Sequence, residues 1–427
     1  MTFTAKIDEM NLMGNGITKL DGCVVFCLGA VDGDTVTCEI TQEKKNFKIA
    51  KVLSVDEPSP HRCEPDCPHF PTCGGCDIRH ITYEHELSVK KAGVEAALRK
   101  AGQGEIKVSE ILSASPEFYR NKAVLRFGNG VCGFSEAGSD DIVSCEGCRI
   151  IPEEFFAIGK FTHDYFKDEI SSVSYLFIRT NCKKSEMTVV IGTRDKFSYL
   201  DLEGYGEELL KAYPAVVGLL TKYGDHPEDG EDADLICGRD YITEEFLGLS
   251  LKVSPLSFFQ VNHDSAELLC RRVAEYAAMG DGKFGADLYC GTGVIGMSIA
   301  ALHPEAFITG VEINESAVRD AKENAKRNGL TNIGFFGGDS ADFAKSTYGS
   351  IDFITIDPPR AGCSEKMVKE LLRIKPERLI YVSCDPQTLA RDLKKICETK
   401  YIIKDVTAVD LFPRTKHVET IVYLEKK

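Results

Sequence analysis

Ala286-Asp-Leu-Tyr-Cys-Gly291-Thr-Gly293-Val-Ile-Gly296 decides the fold. An apolar run stops at a glycine-rich turn, and an apolar helical pattern begins directly after it. Strand, tight turn and helix in that order are the opening unit of an α/β sheet. The pattern repeats on both sides. Helices are expected at 263–279, 293–302, 315–328, 365–373 and 386–397. Strands are expected at 284–289, 307–311, 333–336, 351–356 and 378–383, with two more at 401–412 and 417–424. Residues 256–427 therefore read as a doubly wound domain, with a mostly parallel sheet and an antiparallel edge pair.

The glycines allow close backbone approach to a ligand, and Glu312 ends the next strand, where it can meet ribose hydroxyls. Taken alone, this pattern fits a dinucleotide. Three acids favour S-adenosylmethionine instead. Asp287, just before the glycines, would repel a pyrophosphate but face a cationic methyl donor directly or through water. Asp339, in Gly337-Gly-Asp-Ser340, is placed for an adenine amino group. Asp357-Pro-Pro-Arg360 is a rigid turn at the sheet's carboxyl edge.

The fifth strand runs into Tyr381-Val-Ser-Cys-Asp-Pro386, a polar turn that presents Cys384 at a helix N-terminus. That position favours the thiolate. A thiol beside a methyl donor has a specific use. Most methyl acceptors are already nucleophilic, but C5 of uracil is not. A thiolate added to C6 makes C5 an enolate, and a general base must later remove the C5 proton. The target base must also leave any stack. Asp357, Asp385, Asp410, His417 and Glu419 are candidates for that base.

Residues 1–57 carry short strand-like runs at 2–7, 22–28, 34–40 and 46–53, separated by Gly and Asp turns, as in a small OB-type barrel. After Pro58-Ser-Pro60 comes Cys63-Glu-Pro-Asp-Cys67-Pro-His-Phe-Pro-Thr-Cys73-Gly-Gly-Cys76. Clustered cysteines in a reducing compartment indicate a metal site, and thiolates suit zinc and iron–sulfur clusters alike. A helix over 82–101 follows. The rest of 58–255 reads as β-rich, with strands at 122–127, 130–134, 174–179, 187–192 and 215–220 and one helix near 152–168. It contains a second pair, Cys145-Glu-Gly-Cys148, of which one member can complete a four-thiolate site. Scattered cysteines such as Cys23, Cys182, Cys237, Cys270 and Cys397 read as small hydrophobes.

The chain of 427 residues has a net charge of −15, which argues against broad non-specific nucleic-acid binding. Six of the acids fall within 225–234, however, and Arg62, Arg79, Lys90, Lys91, Arg99, Lys100, Arg120, Lys122 and Arg126 make one region basic. Such a bipolar surface is compatible with RNA. No apolar run reaches transmembrane length and the N-terminus lacks a signal peptide's apolar core, so a cytoplasmic monomer without membrane contact is expected.

Gly14-Asn-Gly-Ile-Thr-Lys-Leu-Asp-Gly22 with Gly29-Ala-Val-Asp-Gly-Asp34 resembles the TRAM domain, an RNA-binding barrel. Almost the whole chain resembles the RNA uracil-5 methyltransferase family that carries this domain and an iron–sulfur cluster. Ser257-Phe-Phe-Gln-Val-Asn262 is similar to the family's cofactor segment, which implies Gln260 as a contact. The resemblance further implies Tyr289, Gly291, Glu312, Asp339 and Asp357 as S-adenosylmethionine contacts. It implies Cys384 as nucleophile and Glu419 as base. Cys67, Cys73 and Cys76 match the family's C-x5-C-x2-C spacing, Cys63 is extra, and Cys148-Arg-Ile150 fits the fourth ligand better than Cys145. The implied centre is a [4Fe–4S] cluster. The family also implies that the helix near 84–101 packs on the catalytic domain. Where the family usually has Asn after the nucleophile, this chain has Asp385, whose charge is expected to raise the thiol pKa unless Arg360, Arg391 or hydrogen bonds offset it. The activity implied is methylation of a specific uridine in 23S ribosomal RNA. The alternatives are a tRNA uracil-5 methyltransferase and a non-catalytic RNA-binding iron–sulfur protein.

Overall fold

The computed structural model describes residues 1–102, 104–196, 199–228, 233–279, 283–346 and 351–427. Of the acid-rich stretch 225–234, residues 229–232 lie outside the described residues.

Strands β1 (Thr2–Lys6), β2 (Glu9–Met10), β3 (Gly16–Leu20), β4 (Cys23–Leu28), β5 (Thr35–Glu43) and β6 (Phe47–Glu57) form one sheet in the order β1-β5-β6-β4-β3-β2. Its two edges are consecutive in the chain. The link between them bonds to both sides, Ile7 N–H to Asp34 O at 2.8 Å and Asp8 N–H to Ile17 O at 3.1 Å. The sheet therefore curls until its edges meet, around Ile7, Val25, Cys27, Val36 and Cys38. Strands β2 and β3 were not expected, because their residues lie among the turn-forming glycines.

Next come α1 (Tyr83–Lys100), β7 (Glu110–Ser113), β8 (Lys122–Gly128), β9 (Val131–Ser135), β10 (Ile142–Ser144), α2 (Glu153–Tyr165), β11 (Val173–Thr180), β12 (Met187–Thr193), α3 (Leu202–Ala212), β13 (Val216–Tyr223), β14 (Asp234–Gly238), β15 (Ile242–Phe246) and β16 (Leu249–Val253). A seven-stranded sheet runs β10-β9-β8-β11-β12-β13-β14. Strands β11 and β12 are buried along their whole length. Helix α3 crosses between the parallel pair β12 and β13.

The last part contains α4 (His263–Ala278), β17 (Phe284–Leu288), α5 (Val294–Leu302), β18 (Phe307–Glu312), α6 (Glu315–Arg327), β19 (Ile333–Gly337), α7 (Ser340–Ser346), β20 (Phe353–Ile356), α8 (Glu365–Ile374), β21 (Arg378–Ser383), α9 (Pro386–Thr399), β22 (Tyr401–Asp410) and β23 (Glu419–Lys426). The sheet order is β19-β18-β17-β20-β21-β23-β22-β7. Strands β17 to β21 are mutually parallel, and β23 turns antiparallel to both β21 and β22. Both faces of β20 and β21 are covered, which is why Phe353-Ile-Thr-Ile356 and Leu379-Ile-Tyr-Val382 are near-continuous apolar runs. The strand order reverses between β17 and β20, the usual place for a ligand crevice.

Early segments join this layer. Strand β7 pairs in parallel with β22. Helix α1 adds Val94, Ala97 and Leu98 to the core beneath β21 and β22. The β15–β16 hairpin docks on α6, with Lys252 N–H on Asn324 Oδ1 at 2.7 Å. Residues 110–113 and 242–253 thus lie with the C-terminal sheet, although both precede residue 256.

A buried ionic knot fastens α1 to the segment after β22. Lys90 Nζ donates to Glu86 Oε1 at 2.8 Å, to Asp410 Oδ1 at 2.7 Å and to Phe412 O at 3.1 Å. Tyr83 OH donates to the other Asp410 oxygen at 2.8 Å. Lys90, Glu86 and Asp410 are fully buried. Removing the cation strands two acids, so Lys90→Met is expected to cost about 3–5 kcal/mol in urea-denaturation stability. A loss under 1 kcal/mol would contradict this role.

Candidate active site

The carboxyl ends of β17, β18, β20 and β21 open onto one cavity of about 1110 Å³. Gln260, Tyr289, Gly291, Glu312, Asp339, Asp357, Cys384 and Glu419 all line it, although they span 160 positions of sequence.

The floor is the glycine turn. Tyr289, Gly291 and Gly293 all have positive φ, at 62°, 52° and 79°. A Cβ at Gly293 would stand 2.5 Å from the Phe335 ring, so only glycine fits. Tyr289 holds a left-handed conformation that an aromatic residue rarely adopts, the kind of strain found at ligand sites. Glu312 ends β18 and braces the turn. Its Oε2 accepts the Gly291 N–H at 3.0 Å and its Oε1 the Asn314 N–H at 2.8 Å. Asp339 caps the start of α7, accepting the Asp342 N–H at 2.9 Å. The Gln260 backbone is held by Asn121 Nδ2 at 2.9 Å.

Asp287 corrects one expectation. Its carboxylate faces away from the cavity, accepting from Gly296 N–H at 2.9 Å and Thr355 Oγ1 at 2.7 Å. It ties helix α5 to the sheet and does not line the cavity. Burial raises its pKa to about 6. Burial, followed by the nearby Asp287, raises Asp357 to about 7.

Cys384 follows the last residue of β21. The β21–β23 register pairs Ser383 with Thr420, so one further step brings Cys384 opposite Glu419. The antiparallel return strand thereby joins two residues 35 positions apart. Glu419 is only 6% exposed. Its pKa is pushed up to about 8, by burial first and then by Asp357, with the Arg360 guanidinium opposing. Burial, then Glu419 and Asp357, raise the Cys384 thiol to about 11, again with Arg360 opposing. The expected helix-favoured thiolate is therefore corrected, because desolvation and two acids outweigh the helix end. For Asp385, the structure supplies the offsetting hydrogen bonds named as the condition. Asp385 is the N-cap of α9, its Oδ1 accepting from Gln387 and Thr388 N–H at 2.8 and 2.9 Å, with Pro386 at the first helical position. Arg391 pairs with Asp392, so Arg360 is the cation facing the thiol.

Of the other candidate bases, Asp410 is locked in the Lys90 knot. His417 lines the cavity against Phe412, its pKa lowered by burial and then by Arg360. Lys122, at the start of β8, and Arg120 just before it also line the cavity. Burial and two arginines pull the Lys122 pKa down to about 8. The sequence signal for both was the local basic cluster, which does not say where it points.

The cysteine loop lies against the β9–β10 region. Gly74 N–H donates to Ser135 O at 3.0 Å, and His69 Nε2 is 3.0 Å from Glu146 O. Burial raises the Cys73 thiol, with Cys148 and Cys67 adding to it. Burial raises Cys76 to about 11, and there Arg79 opposes while Cys148 and Cys73 add. Cys73 and Cys76 thus lie near each other and near Cys148, and Cys67 lies near Cys73. Cys63 instead faces the Arg79 carbonyl at 3.8 Å, and Cys145 is buried against Cys132. Arg79, 2% exposed, sits beside Cys76 and pairs with Asp66, and two of its buried guanidinium nitrogens have no hydrogen-bond partner. A buried cation beside the Cys76 thiol fits an anionic thiolate-bound centre. The loop also reaches the active site. Asp77 and Ile78 N–H both donate to Arg414 O, and Lys416 N–H donates to Asp77 Oδ2 at 3.0 Å, within the segment that leads to Glu419.

Residues 233–427 match the family model for tRNA (uracil-5-)-methyltransferase. An RNA methyltransferase of Caldanaerobacter subterraneus is 35% identical, covering 99% of this chain and 98% of that protein. One from Clostridium tetani is 34% identical over 100% and 98%. The crystal structure of the Pyrococcus abyssi tRNA (uracil-54, C5)-methyltransferase in complex with S-adenosyl-L-homocysteine has the same fold, with a TM-score of 0.79 at 24% identity over 99% of this chain and 100% of that one. With near full-length relatives above 30% identity and a shared fold from end to end, this chain belongs to the RNA uracil-5-methyltransferase family.

Proposed function

We propose that the protein methylates C5 of a specific uridine in 23S ribosomal RNA, taking the methyl group from S-adenosylmethionine through a covalent Cys384–C6 adduct. The observation that carries this reading is the closeness of a thiol and a buried acid, Cys384 and Glu419, just beyond the end of one ladder in the cavity that also holds the glycine turn. Glu312 would meet the donor's ribose and Asp339 its adenine amino group. Asp357, Gln260 and Tyr289 complete the wall. The donor supplies an electrophilic methyl group, and its positive charge favours the ionised forms of Asp357, Glu419 and Cys384.

Cys384 Sγ adds to C6 of the extruded uracil, and the C5–C6 electron pair moves toward O4 as an enolate. C5 takes the methyl group, leaving S-adenosylhomocysteine. Glu419 then accepts the C5 proton, the C5–C6 double bond re-forms and the Sγ–C6 bond breaks. A base near pKa 8 is well matched to this proton transfer. Because Glu419 must be ionised to take the C5 proton after methyl transfer, kcat is expected to rise with pH through about 8. A profile flat from pH 6 to 9 would contradict the assignment.

Cys67, Cys73, Cys76 and Cys148 would hold a [4Fe–4S] cluster. Methyl transfer needs no electrons, so its part is structural or in RNA recognition. Iron and acid-labile sulfide in equal amounts are expected in anaerobically purified protein, and zinc without iron would refute the cluster. The curled N-terminal sheet would act as a TRAM-type RNA contact. The end-to-end likeness to a tRNA-modifying enzyme supports a second reading, in which the target is tRNA. Mapping 5-methyluridine in a strain lacking the protein separates the two. Loss from 23S ribosomal RNA with tRNA unchanged supports the first, and loss from tRNA alone replaces it with the second.

A further inference from the structure

Away from this cavity, three side chains of different chemistry converge. Cys182 follows β11, Glu244 lies in β15 and His263 is the first residue of α4. One ligand atom from each lies within 4.8 Å of the others. The Glu244 residue is fully buried, and both of its carboxylate oxygens are 3.1 Å from the Cys182 N–H. One N–H shared between two oxygens leaves most of their lone pairs free. His263 Nδ1 stands 3.2 Å from Glu244 Oε1, yet it is buried and makes no hydrogen bond, so the ring nitrogen does not point along that line. On the ring's other side, Nε2 is 3.5 Å from Glu267 Oε1, which the Leu247 N–H fixes at 2.7 Å. A carboxylate at the second ring nitrogen is how proteins orient a metal-bound imidazole.

Without a metal, Glu244 pairs with His263 and the Cys182 thiol donates to Glu245 O at 3.8 Å. Cys182 was expected to be a small buried hydrophobe. It is half-buried among acids instead, and burial followed by Glu244 raises its thiol to about 12. A divalent cation uses all three groups at once, because it takes up the thiolate, the carboxylate and the ring lone pair together. Bonds of about 2.0–2.3 Å in a tetrahedral site put ligand atoms roughly 3.3–3.8 Å apart, near the 3.2 Å Glu244–His263 approach and inside the 4.8 Å that bounds all three. A thiolate with an imidazole selects a borderline-soft ion over magnesium or calcium.

We propose that Cys182, Glu244 and His263 form a structural zinc site, with water in the fourth position and Glu267 orienting the imidazole. Binding releases the Cys182 proton to solvent. The ion fastens the β11–β12 turn of the seven-stranded sheet and the β15 strand to the first turn of α4, three residues after Gln260. The site is independent of the four-cysteine locus and of the methyl-transfer reading.

The test uses the full-length protein with the four-cysteine centre filled, and zinc chloride as probe. Micromolar zinc is expected to slow iodoacetamide alkylation of Cys182 by about tenfold or more, read by mass spectrometry of the peptide containing it. Bound zinc should fall by one per chain in Cys182→Ala and in His263→Gln, and the protection of Cys182 should vanish in the latter. Alkylation that ignores zinc, protection that persists in His263→Gln, or equal zinc content in all three proteins overturns the site and leaves the Glu244–His263 ion pair alone. Because the readout follows Cys182 itself, zinc held elsewhere does not imitate it.

Discussion

Cys384→Ala protein is expected to bind S-adenosylmethionine as tightly as the parent and to form no 5-methyluridine. The cofactor contacts proposed above come from the ends of β17, β18, β19 and β20 and from the segment before α4, none of which, among the described residues, touches the Cys384 turn by a side-chain hydrogen bond. The turn itself is held by the Asp385 cap and by Tyr381 OH on Asp392 Oδ2 at 2.8 Å. Removing one half-buried Sγ leaves those supports in place. The chemistry has no substitute for it, since uracil C5 gains nucleophilic character only through the C6 adduct. The loss should be roughly 10⁴-fold or more, about 5.5 kcal/mol of barrier. Calorimetry with the donor and mass spectrometry of digested RNA read the two halves separately. Retained 5-methyluridine formation removes the covalent mechanism, and lost donor binding shows that Cys384 supports the fold of the cavity.

Glu419→Gln gives the second large effect, and it differs in kind. The amide is nearly isosteric and keeps the β23 register with β22 and β21. Addition at C6 and methyl transfer need no proton acceptor at C5, so both proceed. Elimination then stalls, and RNA is expected to remain bonded to Cys384 as a band of reduced mobility on a denaturing gel. Turnover should fall by about 10²–10⁴-fold, the usual value of a positioned base. The substitution also removes one of the two acids that raise the thiol, so adduct formation should be no slower than in the parent. Normal turnover with no shifted band would place the base elsewhere. The nearest alternatives in the cavity wall are Asp357 and His417.

The C-terminal sheet was legible because its strands are buried on both faces and its helices are amphipathic, which are local signals. What joins it from elsewhere was not. Strand β7 is four residues long and pairs with a strand almost 300 positions later, a register that no local pattern records. Helix α7 is a single short segment after Asp339 and carries little periodicity. The site residues were legible through motif position, but their electrical state was not. The helix-end argument for a Cys384 thiolate considered one dipole. The fold adds burial and the carboxylates of Glu419 and Asp357, brought together by a return strand and a neighbouring strand end. Asp287 and Asp385 show the same limit. Each looked like a charge placed for chemistry, and each proves to satisfy backbone N–H groups at a helix start.

The most direct measurement uses RNA in which 5-fluorouridine replaces uridine. Fluorine at C5 leaves Glu419 no proton to remove, so the unaltered enzyme must stop after methyl transfer. In the presence of S-adenosylmethionine, the expected product is a stable complex whose peptide map carries a methylated fluorouracil on Cys384. An adduct on another residue, or no adduct from enzyme that methylates ordinary RNA, would contradict the account.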